Sequence, residues 1–482
     1  MKTAYLLAAA SLMLAIGPTA AADQKYEPNW KSLDARPVPA WFDDAKFGIF
    51  IHWGVYSVPS WGPKGSYAEW YWDALQNTNS ETWKFHMKNY GANFKYQDFA
   101  PRFTAELFEP NQWADLFARS GARYVVLTSK HHEGFCLWPN ADSPNWNSVD
   151  VGPHRDLCGD LTKAVRARGL KMGFYYSLYE WFHPVYQMDF PRFVREHFHP
   201  QFKDLVMRYQ PSIIFADGEW ARTSAEWKSE ELLAWLFNEA PCRNEVVIDD
   251  RWGKDTRSQH GGYYTTEYGE VGAGAKLGMS RKFEECRGIG ASFGYNRNET
   301  IDDYQSAYGL VCVLVNLVSK GGNLLLDIGP TADGRIPVIM QQRLVEIGDW
   351  LKINGEAIYG TQPWQVHGEG PTQPAKDPDA ERKQVFQASD VRFTAKDGAV
   401  YAICLASPLG EVQIKSLGKS ARQGGQPVSS VRLLGSNEKL AWKQDPDRLV
   451  IQCPPRMPCL HAVAFKIEFG AKGMRQLGQL DK

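Results

Sequence analysis

One acidic residue, Asp217, closes the apolar part of the run Pro211-Ser-Ile-Ile-Phe-Ala-Asp-Gly-Glu-Trp220. The partly β-branched residues before it predict a short buried strand that stops on a carboxylate followed by glycine. Side chains alternate across a strand, so Ile213, Phe215 and Asp217 point one way while Ile214 and Ala216 point the other. In a closed barrel of parallel strands the first set faces the axis, and Asp217 stands at the C-terminal rim, where such barrels keep their chemistry. A carboxylate there, ringed by aromatics, suits attack on a sugar cation or its stabilisation. Alone, an Asp in a strand-to-helix turn is commonplace. Its neighbours decide the matter.

Several other predicted strands end in residues of the kind a sugar site requires. The first places Gly48, Phe50 and His52 on one face. The second ends in Lys130-His131-His132-Glu133-Gly134, where both histidines serve one site only if the chain turns, as Gly134 allows. Their adjacency is the wrong spacing for two metal ligands on one face, so hydrogen bonding is the better reading and no metal or other cofactor is expected. The third strand aligns Tyr175 with Ser177, and the fifth aligns Asp249 with Arg251, a charge that needs a carboxylate partner if buried. The loop after the first strand carries Tyr67-Ala-Glu69-Trp70-Tyr-Trp72, a pattern suited to a sugar's hydroxyls and apolar face. A retaining glycosidase needs a second carboxyl group about 5 Å from the first. Glu267, Glu270, Glu284 and Glu285 are available, and Glu267 follows a strand end. The other three read equally as solvated charges.

Positioning these residues calls for alternating strands and helices. Strands are predicted at 47–52, 124–129, 171–177, 212–217, 245–251, 263–267, 289–293 and 323–328, with helical periodicity at 110–120, 160–168, 193–209, 304–319 and 341–353. Eight βα units fit a (β/α)8-like (TIM) barrel over residues 23–360. An open doubly wound sheet is disfavoured because no strand leads into a GxGxxG loop. After residue 360 the helical period disappears, and short strands to residue 470 predict a C-terminal all-β sandwich, followed by a polar tail at 471–482.

The 482 residues carry 54 basic and 55 acidic side chains, so no electrostatic hold on nucleic acid or an anionic membrane is expected. Residues 1–22 have a basic start at Lys2, an apolar run and the small-residue site Ala20-Ala-Ala22. They read as a signal peptide, which implies export to the periplasm or beyond. Of eight cysteines, Cys453 and Cys459 bracket a proline-rich loop and are the pair the spacing favours for a disulfide.

The motifs Phe47-Gly-Ile-Phe-Ile-His-Trp-Gly, Lys130-His-His-Glu-Gly-Phe, Phe174-Tyr-Tyr-Ser, Phe215-Ala-Asp-Gly-Glu-Trp, Asp250-Arg-Trp-Gly, Gly290-Ala-Ser-Phe-Gly-Tyr and Gly322-Asn-Leu-Leu-Leu-Asp-Ile-Gly-Pro occur in this order. Together they resemble glycoside hydrolase family 29, the retaining α-L-fucosidases. The resemblance implies that Asp217 is the nucleophile and that a terminal α-L-fucosyl group of an oligosaccharide or glycoconjugate is the substrate. It also implies that His52, Glu69, Trp70, His131, His132, Tyr175 and Arg251 bind fucose hydroxyls or hold the nucleophile, and that Phe293 packs on the sugar's methyl group. For the acid/base it points to Glu267, with Glu284 as the alternative. Relatives often carry Trp where this chain has Phe215. A fucose-binding protein without catalysis is the competing expectation, and such a descendant would be expected to have lost Asp217.

Overall fold

Strands β1 (Phe47–Ile51), β2 (Tyr124–Lys130), β3 (Lys171–Ser177), β4 (Ile213–Asp217), β5 (Val247–Ile248), β6 (Tyr264–Glu267), β7 (Glu270–Val271), β8 (Phe283–Gly288) and β9 (Asn323–Ile328) form one sheet. The computed structural model describes residues 25–268, 270–271, 281–373, 375, 377–421 and 425–470, so the expected leader and tail lie outside the described residues. Neighbours run in the order β5-β4-β3-β2-β1-β9-β8-β6-β7, and every pair from β5 round to β6 is parallel. Eight parallel strands therefore curl into a (β/α)8-like barrel, with β7 added antiparallel to β6.

The seam between β5 and β6 has no ladder. It is bridged by one backbone bond, Tyr263 N–H to Ile248 C=O at 3.2 Å. Side chains complete it at the C-terminal end, where Thr265 N–H donates to Asp250 Oδ1 (3.2 Å) and Arg251 Nε donates to Thr265 Oγ1 (3.0 Å). The strand predicted at 245–251 thus contracts to two residues, because Asp250 and Arg251 leave the ladder for side-chain partners.

Alternation along the strands separates two apolar layers. Phe50, Val126, Tyr175, Ile213, Phe215, Val247 and Leu325 pack inside the barrel. Ile49, Ile51, Val125, Leu127, Ile214, Ala216, Leu324 and Leu326 face the surrounding helices. The expected split of Ile213 and Phe215 from Ile214 and Ala216 is what is found. Within the helical layer, Pro110–Arg119, Leu157–Ala167, His199–Tyr209, Ala307–Ser319 and Val338–Asn354 are α-helical.

The strand expected at 289–293 lies elsewhere, at Phe283–Gly288. All six of its residues are buried although three are charged. Glu284 is hydrogen-bonded by the Tyr124 hydroxyl inside the barrel, while Arg287 on the outer face pairs with Glu285 and Glu381, both at 2.5 Å. Buried polar groups on both faces erase the apolar alternation by which such a strand is recognised.

The C-terminal region pairs two antiparallel sheets. One contains β10 (Gln362–Glu369), β11 (Val391–Lys396), β12 (Ala399–Cys404), β14 (Val428–Leu433) and β17 (Val463–Phe469), and the other β13 (Glu411–Ile414), β15 (Trp442–Gln444) and β16 (Leu449–Gln452). Every residue of β12 is buried. Ala399, Tyr401 and Ile403 join the core shared with the barrel helices, and Val400, Ala402 and Cys404 join the core between the two sheets. The expected Cys453–Cys459 disulfide is absent, and all eight cysteines are thiols. The Cys459 thiol is instead turned toward Ala462 C=O (3.4 Å) and accepts from Asn354 Nδ2 (3.4 Å).

Gly48 sits beside Tyr124 in the β1–β2 register, and a Cβ there would overlap the tyrosine ring. Gly48→Ala should therefore cost about 1–3 kcal/mol by overpacking the barrel interior. Thermal unfolding checks this: the apparent midpoint should fall by several degrees, and an unchanged midpoint would mean that the ring has room to move.

Candidate active site

Asp217 ends β4 at the floor of a cavity of about 190 Å³, a volume suited to a single sugar ring. Tyr175 Oη donates to Asp217 Oδ2 at 2.9 Å, and Arg251 Nη1 donates to Oδ1 at 2.9 Å. Burial alone would raise the pKa of this carboxyl. The charges of Arg251 and Arg257 outweigh that and hold it far below the ordinary range, so Asp217 is an anion at any working pH. Arg251 is itself stacked 4.8 Å over the Phe215 ring.

The same guanidinium reaches a second carboxylate. Arg251 Nη2 lies 3.4 Å from Glu267 Oε2, and Tyr67 Oη donates to Glu267 Oε1 at 2.7 Å. Glu267 ends β6, across the unladdered seam from Asp217, and both line the cavity.

Burial holds His52 and His132 neutral, as acceptors and donors rather than cations. His52 Nδ1 and Asp327 Oδ1 lie 2.7 Å apart. Burial opposes charge on either, lowering the imidazole pKa and raising that of the carboxyl, so the pair shares one proton. His132 Nδ1 is 2.6 Å from Ser177 Oγ, whose own proton goes to Tyr179 C=O at 2.7 Å. His132 therefore donates through Nδ1 and leaves the lone pair of Nε2 facing Asp217 Oδ2 at 3.7 Å. Two acceptors at that separation leave room for a substrate hydroxyl between them. Gly134, with φ of 80°, makes the turn that brings His131 and His132 to one site, and Gly134 N–H donates to His131 C=O at 3.0 Å. The turn is braced from behind by Glu180, which pairs with Lys130 and with His197 Nε2.

Glu69 is buried and accepts from Gly294 N–H at 2.7 Å; burial pushes its pKa up to about 7. Opposite these polar groups stands an apolar wall. Phe293 lies 4.9 Å from the His52 ring, 5.3 Å from Tyr67, 5.5 Å from Tyr268 and 6.3 Å from Phe50. One methyl group facing this wall and several hydroxyls facing the histidines would satisfy both sides of the cavity.

His52, Glu69, Trp70, His131, Tyr175, Asp217, Arg251, Glu267 and Phe293 all line this one cavity, and His132 abuts it through Trp70 and Asp217. Glu284 does not line it. It lies at the opposite end of the barrel, level with Asn323 in the register, with no exposed surface. The sequence places Phe50 and Tyr67 near the site without assigning them a role, and it assigns none to Trp220, Arg257, Cys286 or the His52 partner Asp327. Only Asp327 carried a legible signal, as a lone carboxylate within an otherwise apolar strand.

A family model described as alpha-L-fucosidase matches residues 13–356, and one for the alpha-L-fucosidase C-terminal domain matches 385–468. The chain is 45% identical over 446 residues to the tissue alpha-L-fucosidase of Rattus norvegicus, covering 91% of this chain and 90% of the relative. It is 49% identical over 354 residues to the alpha-L-fucosidase of Dictyostelium discoideum, covering 71% and 76%. The crystal structure of Thermotoga maritima alpha-fucosidase with a mechanism based inhibitor superposes with a TM-score of 0.76 at 38% identity, over 92% of this chain and 100% of that one.

Burial pushes the Glu284 pKa up to about 7, well above that of an unfolded glutamate. The folded state then holds a proton that the unfolded state has released, so this residue's contribution to stability is full at low pH and declines as pH rises from about 4.5 to 7. Glu284→Gln should flatten the fall in unfolding midpoint across that interval. Equal slopes for the two proteins would mean that the carboxyl is not held neutral.

Proposed function

The chain belongs to the α-L-fucosidase family, glycoside hydrolase family 29, and from that membership we propose that it removes terminal α-L-fucosyl residues as an exo-acting retaining hydrolase. The observation that carries the mechanism is the Arg251 guanidinium, whose two terminal nitrogens grip Asp217 and Glu267 at 2.9 and 3.4 Å. Two carboxyl groups contacted by one guanidinium face the same small volume, as a double displacement requires.

In the first step Asp217 attacks the anomeric carbon as Glu267 protonates the departing oxygen, giving a covalent fucosyl ester. In the second, Glu267 takes a proton from water as that water displaces Asp217, and two inversions give net retention. The ionised state that Arg251 enforces on Asp217 is what a nucleophile needs. His52, with Asp327 behind it, and His131, His132, Glu69 and Trp70 take the sugar's hydroxyls. The wall of Phe50, Tyr67, Tyr268 and Phe293 takes the C5 methyl. Glu267 is preferred to Glu284 as the acid because it reaches the cavity. Residues 1–22 support export, and the purified exported protein should begin at Asp23; a mature chain that still carries Met1 would overturn this.

Asp217→Gly should lower turnover of an aryl α-L-fucoside by on the order of 10⁴-fold. Azide should restore activity by attacking the open face, yielding the β-azide. Glu267→Ala should lose most on poor leaving groups and give the α-azide, while Glu284→Gln stays active. Full activity in Asp217→Gly, or an inactive but folded Glu284→Gln, would overturn the assignment.

A further inference from the structure

We propose that Trp220 and Arg257 form a binding subsite for the departing sugar, a neutral pyranose seated at the mouth of the cavity. This rests on the fucosidase reading and adds to it the recognition of the other half of the substrate.

Gly218 begins the argument. It takes a left-handed φ of 79° directly after the nucleophile, where a Cβ would crowd Tyr179. The turn sends Glu219 inward and Trp220 outward. Trp220 is 41% exposed, the only tryptophan among the large apolar side chains left exposed in the described residues. It is braced by Trp70 at 5.7 Å and by the edge of His132 at 5.2 Å. A rigid indole held open at the mouth of a sugar-sized cavity is a platform for the apolar face of a pyranose.

Arg257 arrives from the loop between β5 and β6. Its Nε donates to Glu219 Oε1 at 2.6 Å, and Nη2 stands 3.7 Å from Asp217 Oδ1. Its side chain is 35% exposed and its terminal N–H groups have no hydrogen-bond partner among the described residues, while Glu219 is buried and has Arg257 as its side-chain partner. Glu219 thus aims the guanidinium at the mouth. Arg251 already holds the nucleophile at 2.9 Å, so a second, looser and exposed guanidinium is free to donate to oxygens of a ligand. With Asp217 and Glu219 on either side, the charge of Arg257 is matched. An anionic group there would meet two carboxylates, which selects a neutral sugar bearing hydroxyl or amide oxygens.

The test compares two substrates in the full-length enzyme: α-L-fucosyl fluoride, whose leaving group is one atom, and a neutral α-L-fucosyl disaccharide. For Trp220→Ala, kcat/KM on the disaccharide should fall about tenfold or more, the loss of one stacking contact, against about threefold or less on the fluoride. For Arg257→Gln, whose charge also bears on Asp217, both rates should fall, and the loss on the disaccharide should exceed that on the fluoride by about tenfold. Trp220→Phe should recover most of the loss. Equal losses on both substrates would overturn the proposal and make Arg257 a positioning residue for Asp217 alone. So would an undiminished rate on the disaccharide, or a faster wild-type rate on a sulfated disaccharide than on the neutral one. A wild type inactive on both substrates would instead overturn the fucosidase reading.

Discussion

Everything at the C-terminal end of this barrel depends on one buried cation. A guanidinium cannot lose its proton and is costly to bury unless its N–H groups are matched by acceptors. Arg251 meets that demand with Asp217 at the end of β4 and with Thr265 and Glu267 of β6. The cation keeps the nucleophile ionised in a place where burial alone would neutralise it. It also ties β6 to the end of β5, across the one gap in the strand pairing. Catalytic charge and barrel closure are therefore a single arrangement. A neutral residue at 251 would leave Asp217 only the looser charge of Arg257, 3.7 Å away.

A second layer of carboxyl groups behaves differently because it lacks such a cation. Asp327 and Glu69 are buried against neutral partners, and burial drives both toward the protonated form. The site thus combines one carboxyl held firmly charged with others, in the lining and behind it, that burial drives toward neutrality. Such a division lets acceptors, donors and a nucleophile coexist within about 190 Å³.

How much of this could be read beforehand follows from where polar residues lie. Strands with an apolar face, such as those at Phe47–Ile51 and Asn323–Ile328, were legible within a residue or two, as was the side of β4 on which Asp217 lies. The strand at Phe283–Gly288 was not, because Glu284, Glu285 and Arg287 satisfy one another or nearby tyrosines only after the chain has folded. Cys453 and Cys459 were misread for a related reason: sequence spacing reports proximity but not which way a thiol turns. Arg257 left no trace, since loops without periodicity carry no pattern, and Trp220 stood in a motif that gave no sign of its exposure. Family motifs located most of the cavity lining, but they could not say that His52 leans on Asp327 or that Tyr67 reaches Glu267.

The unladdered seam has a consequence for how such a site can change over evolutionary time. Neighbouring strands elsewhere in the barrel are locked at the spacing their backbone bonds dictate, roughly 4.8 Å. Asp217 and Glu267 sit on opposite sides of the one junction that escapes this rule. Their separation is set by arginine, threonine and tyrosine side chains, which substitution can lengthen or shorten without remaking a strand. Stereochemical outcome in glycoside hydrolysis turns on a difference of only a few ångströms between two carboxyl groups. The barrel has placed its one adjustable joint at the distance that decides the handedness of its product.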